Sequence, residues 1–204
     1  EGMRAFTPID SSLQELGVIL LDPVVRELAN IDTLGLVLQG ELLSVPFAAL
    51  RYGGESLLER DISIFHIPSI RGLQRLWSQE PANELRQLVA LPGDARQLPF
   101  IELELDALRH EVSSMNVRNE TGEQIATVRG QMPPGDGWHF AGHAHFDHQD
   151  PLSSHLSLRG GKLWTVQDIL RVRNLPSMVT LSACDSDRSL HDGWLGIARS
   201  FLFA

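Results

Sequence analysis

The chain has 204 residues, a formal net charge of −9, 43% apolar and 21% charged residues, and one cysteine. That length suits one large domain, and the composition is that of a globular chain with a sizeable core, not of a disordered one. The single cysteine, Cys184, excludes an internal disulfide and a cysteine-rich zinc site, and the acidic balance argues against a general binder of nucleic acid or anionic membranes.

The first residues, Glu1 to Thr7, lack a basic region followed by an apolar run, so no signal peptide is expected. No apolar stretch approaches the roughly 20 residues that cross a bilayer. A cytoplasmic location is the expectation, where the thiol would stay reduced. Glu1 in place of methionine points to a piece of a longer protein.

An amphipathic helix is expected over residues 11–20, then apolar strands over 34–38 and 62–67. The Pro68-Ser69 turn precedes a short helix over 73–77, and a strand follows over 87–91. Past Pro99 the pattern predicts a helix over 100–115, with Ile101, Leu105 and Leu108 on one face. Glu102, Glu104, Asp106 and Glu111 then read as its solvated face. The run Pro133-Pro134-Gly135-Asp136-Gly137 is a loop before a strand over 138–142. Gly160-Gly161-Lys162 is a hairpin or loop turn, too short to cradle phosphates. Thr165 caps a helix over 165–172, a strand follows over 178–183, and a helix over 193–203 closes the chain. Most of these strands are nearly continuous in apolar residues, as in strands buried on both faces of a sheet. Strands alternating with helices imply an α/β sandwich with a largely parallel sheet.

Two segments carry the chemistry. Trp138-His139-Phe140-Ala141-Gly142-His143 begins as a buried strand and ends in polar residues. Leu181-Ser182-Ala183-Cys184-Asp185-Ser186 has the same design. Functional groups in open α/β sheets gather past the C-terminal ends of strands. If the two strands are neighbours, His143 and Cys184 meet at one edge. An imidazole there can take the thiol proton and make the nucleophilic thiolate. Each residue also has a plainer reading: Cys184 as a small buried hydrophobe, His143 as a satisfied structural residue. The string His143-x-His145-x-Asp147-His148 is a third possibility. It spells a metallo-β-lactamase-type zinc signature, although the further downstream ligands of such a hydrolase are missing. There is no Walker A loop, no G-x-G-x-x-G and no G-x-S-x-G elbow.

Five ordered motifs give the sequence a family likeness. They are Pro46-Phe47-Ala48-Ala49-Leu50; Ile67-Pro68-Ser69; His139-Phe140-Ala141-Gly142-His143 with Asp150-Pro151-Leu152-Ser153; Leu163-Trp164-Thr165-Val166-Gln167-Asp168-Ile169; and Leu181-Ser182-Ala183-Cys184-Asp185-Ser186 with the tail from Gly196 to Ala204. From about Leu34 onward the chain resembles the CHAT domain, a caspase-like cysteine peptidase module of clan CD often found with tetratricopeptide repeats. The resemblance implies a caspase-like three-layer α/β/α sandwich with a mostly parallel central sheet. Residues 1–204 would form one such domain, with 1–33 a helical lead-in. Relatives continue past the last helix with further strands, so the resemblance also implies a fold cut short at its C-terminus.

It implies roles by position as well. Cys184 would be the nucleophile of a cysteine endopeptidase and His143 its general base and later acid. The backbone N–H groups of Ala144 and Cys184 would form the oxyanion hole. Asp185 and Asp187, close to the nucleophile, are candidates for binding a basic substrate residue. No cofactor and no metal are implied. The partners would be a protein or peptide substrate and a tetratricopeptide-repeat or other regulatory domain, with a bacterial host the expected context and neither nucleic acid nor membrane involved. Relatives usually carry glycine where this chain has Ala144, and alanine resists the positive φ that glycine allows. That departure motivates the alternative of a non-catalytic scaffold module.

Overall fold

The computed structural model describes residues 8–78, 87–94, 98–111, 116–119, 137–173, 175–187 and 195–204. The chain divides into two compact units, Glu1–Ile70 and Arg71–Ala204. No described helix is long and apolar enough to cross a membrane.

The first unit opens with helix α1 (Pro8–Leu21), a 3-10 turn over Asp22–Val24 and the short α2 (Val25–Leu28). Strand β1 (Thr33–Leu36) pairs in parallel with β4 (Ser63–His66), and β2 (Arg51–Tyr52) pairs antiparallel with β3 (Glu55–Ser56). Leu21, Leu28, Leu50, Leu57 and Ile62 form its core. The Pro46–Leu50 motif is part of that core: a 3-10 turn over Phe47–Ala49 buries Phe47 and, just after it, Leu50. The strands expected over 34–38 and 62–67 are therefore present, but they form a separate two-stranded sheet. They are not buried on both faces; β1 alternates exposed and half-buried residues, and β4 is mostly exposed. An apolar core on one side only leaves the other side open.

Helix α3 (Ile70–Trp77) follows the Pro68-Ser69 turn. The second unit is built on a four-stranded sheet in the order β11-β7-β5-β6. Its strands are β5 (Gln87–Pro92), β6 (Asn116–Asn119), β7 (Gly137–Ala141) and β11 (Met178–Ser182), all parallel. Side chains alternate across it. Trp138 and Phe140 point to one face, where they pack with Leu156, Leu158, Trp164 and the helices α5 (Val166–Ile169) and α6 (Ile197–Phe203). Ala141 points to the other face, against Ile101 and Leu105 of α4 (Phe100–Glu111). Helices thus cover both faces, and this is a mixed α/β, caspase-like layering around a parallel sheet. Each fully buried large side chain, such as Trp138 or Phe140, contributes about 1.5–3 kcal/mol.

Strand β7 is buried throughout. By contrast β11, expected to be buried on both faces, alternates exposed with half-buried residues. It is one of the two edge strands of this sheet among the described residues, and the apolar face of α4 packs on β5 and β7. Only Val179 and Leu181 therefore reach the core.

A second, antiparallel sheet went unforeseen in the sequence. It has the order β10-β9-β8, with β8 (His143–His145), β9 (His155–Leu158) and β10 (Lys162–Thr165). Gly160 and Gly161 turn the β9–β10 hairpin at φ 85° and 76°, values that favour glycine. Thr165 caps α5 as expected: its hydroxyl accepts the Asp168 N–H, and the Asp168 carboxylate accepts the Thr165 N–H. The helix over 100–115 is described to Glu111, while the closing helix, expected from 193, begins only at Ile197, because Gly196 is extended as its N-cap. Residues 112–115, 133–136 and 193–194 of the expected elements lie outside the described residues.

Candidate active site

Strands β7 and β11 are adjacent and parallel, with Ala141 opposite Ser182. The ladder runs one step further, since the Gly142 N–H donates to the Ser182 carbonyl at 3.1 Å. His143 and Cys184 each follow two residues after that paired position, so both segments leave the sheet at the same edge. Their immediate neighbours are anchored alike. Ala144 and Ala183 both pack against the Trp138–Phe140 core cluster. His143 and Cys184, one residue away in each segment, are exposed. Alternation thus turns the half-buried alanines inward and the imidazole and the thiol to solvent.

Gly142 makes the change of direction between β7 and β8 sterically possible. A Cβ at Gly142 would fall 2.8 Å from the tip of the Phe140 ring and 3.0 Å from the Gly93 Cα. Ala144 occupies β8 opposite Leu156, and it is not among the residues with positive φ. The conformation that alanine resists is therefore not required of it here.

The turn after the nucleophile candidate is tight. Asp185 adopts φ 57°, one of two described non-glycine residues with positive φ. The Ser186 hydroxyl donates to the Ala183 carbonyl at 2.9 Å, and the Ser186 carbonyl accepts the Ala198 N–H at 3.0 Å. This ties the loop to the start of α6. Asp187 faces the half-buried Arg199 of α6. Burial of that guanidinium lowers its affinity for the proton, and Asp187 opposes the shift.

The metal-like string does not gather into a ligand set. Among the described residues, no group of three or more His, Cys, Asp or Glu side chains is placed to hold a metal ion. Three of its four members have other contacts. The His145 ring lies against His155 at 5.4 Å, and His148 meets Phe146 edge-on at 4.9 Å. The Asp147 carboxylate accepts the N–H groups of Gln149 at 2.8 Å and Asp150 at 3.0 Å. The Asp150 N–H, then that of Gln149, holds its carboxyl below the usual carboxylate range.

One group beside the site was not foreseen as more than solvated helix surface. Glu104 of α4 contacts both strands that lead to His143 and Cys184. His139 Nε2 of β7 lies 2.7 Å from its Oε1, and the Ser182 hydroxyl of β11 donates to its Oε2 at 3.2 Å. Glu102, by contrast, pairs with Arg159, and Asp106 with Arg109. The signal for Glu104 was its position: with Ile101, Leu105 and Leu108 it completes an i, i+3, i+4, i+7 stripe facing the sheet.

The model of the CHAT domain family matches residues 10–204. No curated protein matches the chain. A match over nearly the whole length, on a parallel sheet with helices on both faces, shows that the chain belongs to the CHAT domain family, a caspase-like family related to the cysteine peptidases.

Proposed function

We propose that the protein is a cysteine endopeptidase acting through a Cys184–His143 dyad. The observation that carries this reading is the in-register parallel pairing of β7 with β11, which brings both strand ends to one sheet edge. The thiol proton passes to the His143 imidazole, and Cys184 Sγ attacks the carbonyl carbon of a peptide bond. The tetrahedral oxyanion is held by the backbone N–H groups of Ala144 and Cys184. His143 then protonates the leaving amine as the C–N bond breaks, giving a thioester. A water molecule, deprotonated by His143, hydrolyses it and restores the thiol. No cofactor takes part.

Asp185 and Asp187 are the acidic groups next to the nucleophile in sequence, and they favour a basic residue ahead of the cleaved bond. The Arg199 charge acting on Asp187 reduces the share of that residue. A tetratricopeptide-repeat regulator is the partner we carry forward from the family likeness.

Because Cys184 is the only cysteine, a thiol-reactive peptidyl probe reports on one atom. Labelling should be abolished in Cys184→Ala and slowed roughly 10²- to 10⁴-fold in His143→Ala, the usual range for losing a general base. A thiol that labels no faster than free cysteine, with or without His143, would instead mark a non-catalytic scaffold.

A further inference from the structure

We infer that Glu104 is a positioning residue that holds the two dyad-bearing strand ends in register; this rests on the peptidase reading above. An ionised carboxylate can only accept hydrogen bonds. Glu104 accepts one from each strand, from His139 on β7 and from Ser182 on β11. His139 is opposite Thr180 in the parallel register, so it and Ser182 point to the same face of the sheet, where α4 lies. The two donors stand two and four residues before the chemistry: Ser182 before Cys184, His139 before His143.

The bridge is not needed to dock α4. Ile101 and Leu105 already bury against Ala90 and Ala141 on that face. What apolar contacts do not supply is a directional tie between neighbouring strands. Strand β11 is one edge of the sheet among the described residues, so β7 is its one described strand neighbour and only the apolar contacts of Val179 and Leu181 add to that hold. The Glu104 carboxylate is such a tie, and it acts at the end of β11 from which Cys184 emerges. His139 is only 7% exposed. Its Nε2 therefore has little access to water and depends on Glu104 for its partner. A shift of one strand end by about an ångström is enough to cost a large factor in rate.

The test measures the rate of alkylation of Cys184 by iodoacetamide at neutral pH, alongside the melting temperature. Glu104→Leu, similar in volume and unable to accept, should alkylate about tenfold more slowly than the parent, with a melting temperature lowered by the unpaired His139 nitrogen. Glu104→Gln keeps an accepting oxygen and an N–H that can turn to the other partner, and should recover most of the rate. The double variant Glu104→Leu/His143→Ala should react at the rate of His143→Ala alone, because the bridge acts through the dyad. If Glu104→Leu does not fold, Ser182→Ala removes one arm at an exposed position and should slow alkylation about threefold. A parental rate in these variants, with His143→Ala slow, overturns the positioning role and leaves the dyad standing. Additive losses in the double variant overturn it too. A parental rate in His143→Ala removes the dyad itself, and the positioning role with it.

Discussion

Gly93, at the end of β5, and Gly142, at the end of β7, stand backbone to backbone with no space for a methyl group between them. A Cβ built on Gly93 would fall 2.8 Å from the Gly142 Cα, 3.0 Å from the Ser157 carbonyl oxygen and 3.1 Å from that of Ala141. All three are main-chain atoms that cannot rotate away. The Gly93 N–H also donates to the Ala141 carbonyl at 2.8 Å, so the contact is held from both sides. Gly93→Ala should therefore destabilise the fold by about 1–3 kcal/mol, the usual cost of forcing extra volume into a packed site. A melting temperature within about 1 °C of the parent would contradict the close approach. Gly142→Ala meets a ring tip as well as backbone, and the Phe140 ring is itself fully buried, so a similar loss is expected.

The turn after Cys184 makes a separate prediction. Asp185 holds φ 57°, in the left-handed region where Gly, Asn and Asp are tolerated and β-branched residues are not. Asp185→Val should cost about 1–2 kcal/mol in urea unfolding, and Asp185→Asn should cost much less. Equal stability of the two variants would show that the turn does not need its left-handed residue. Asp185→Val should also slow probe labelling of Cys184, since the strained residue is bonded directly to it.

Much of this architecture was legible because burial writes a long signature. Residues 88–91 are a continuous apolar run and 138–142 are interrupted only by His139, and they became the buried stretches of β5 and β7. The adjacency of β7 and β11 was not in the sequence, since strand order in a parallel sheet is set by crossover packing and leaves no local mark. The second sheet was missed for another reason. His143–His145, His155–Leu158 and Lys162–Thr165 are three or four residues long, too short for either period to stand out. Glu104 was assigned to the solvent by its charge, although its spacing from Ile101 and Leu105 put it on the sheet face. There position outweighed polarity, and His139 and Ser182 supplied the partners that a buried-side carboxylate requires.

The capping box on α5 gives a prediction independent of the proposed dyad. Both reciprocal bonds between Thr165 and Asp168 are made, and α5 carries Val166 and Ile169, each fully buried in the main core. A four-residue helix cannot persist on its own propensity, so its cap and its two anchors hold it. Thr165→Ala should lower stability by about 1 kcal/mol, and Thr165→Ser should restore most of it. Thr165→Ala indistinguishable from the parent in urea unfolding would mean the anchors suffice.

The loop between β8 and β9 should be sensitive to acid, with a definite sign. Asp147 closes that loop by accepting the N–H groups of Asp150 and Gln149, with the Ser153 hydroxyl 3.4 Å from its other oxygen. These bonds favour the charged form, so the folded carboxyl titrates below its ordinary value, with the Asp150 N–H the largest cause. A carboxyl lowered by folding stabilises the fold fully above its unfolded pKa, and that contribution disappears as the pH falls through the folded value. Asp147→Asn keeps the shape and removes the charge. The parent should therefore melt above Asp147→Asn at neutral pH, and the gap should stay constant down to about pH 5. Below the ordinary aspartate range of about 4 the gap should shrink steadily. A gap that is the same at neutral pH and at about pH 2.5 would show that the loop is held by the shape of the side chain and not by its charge.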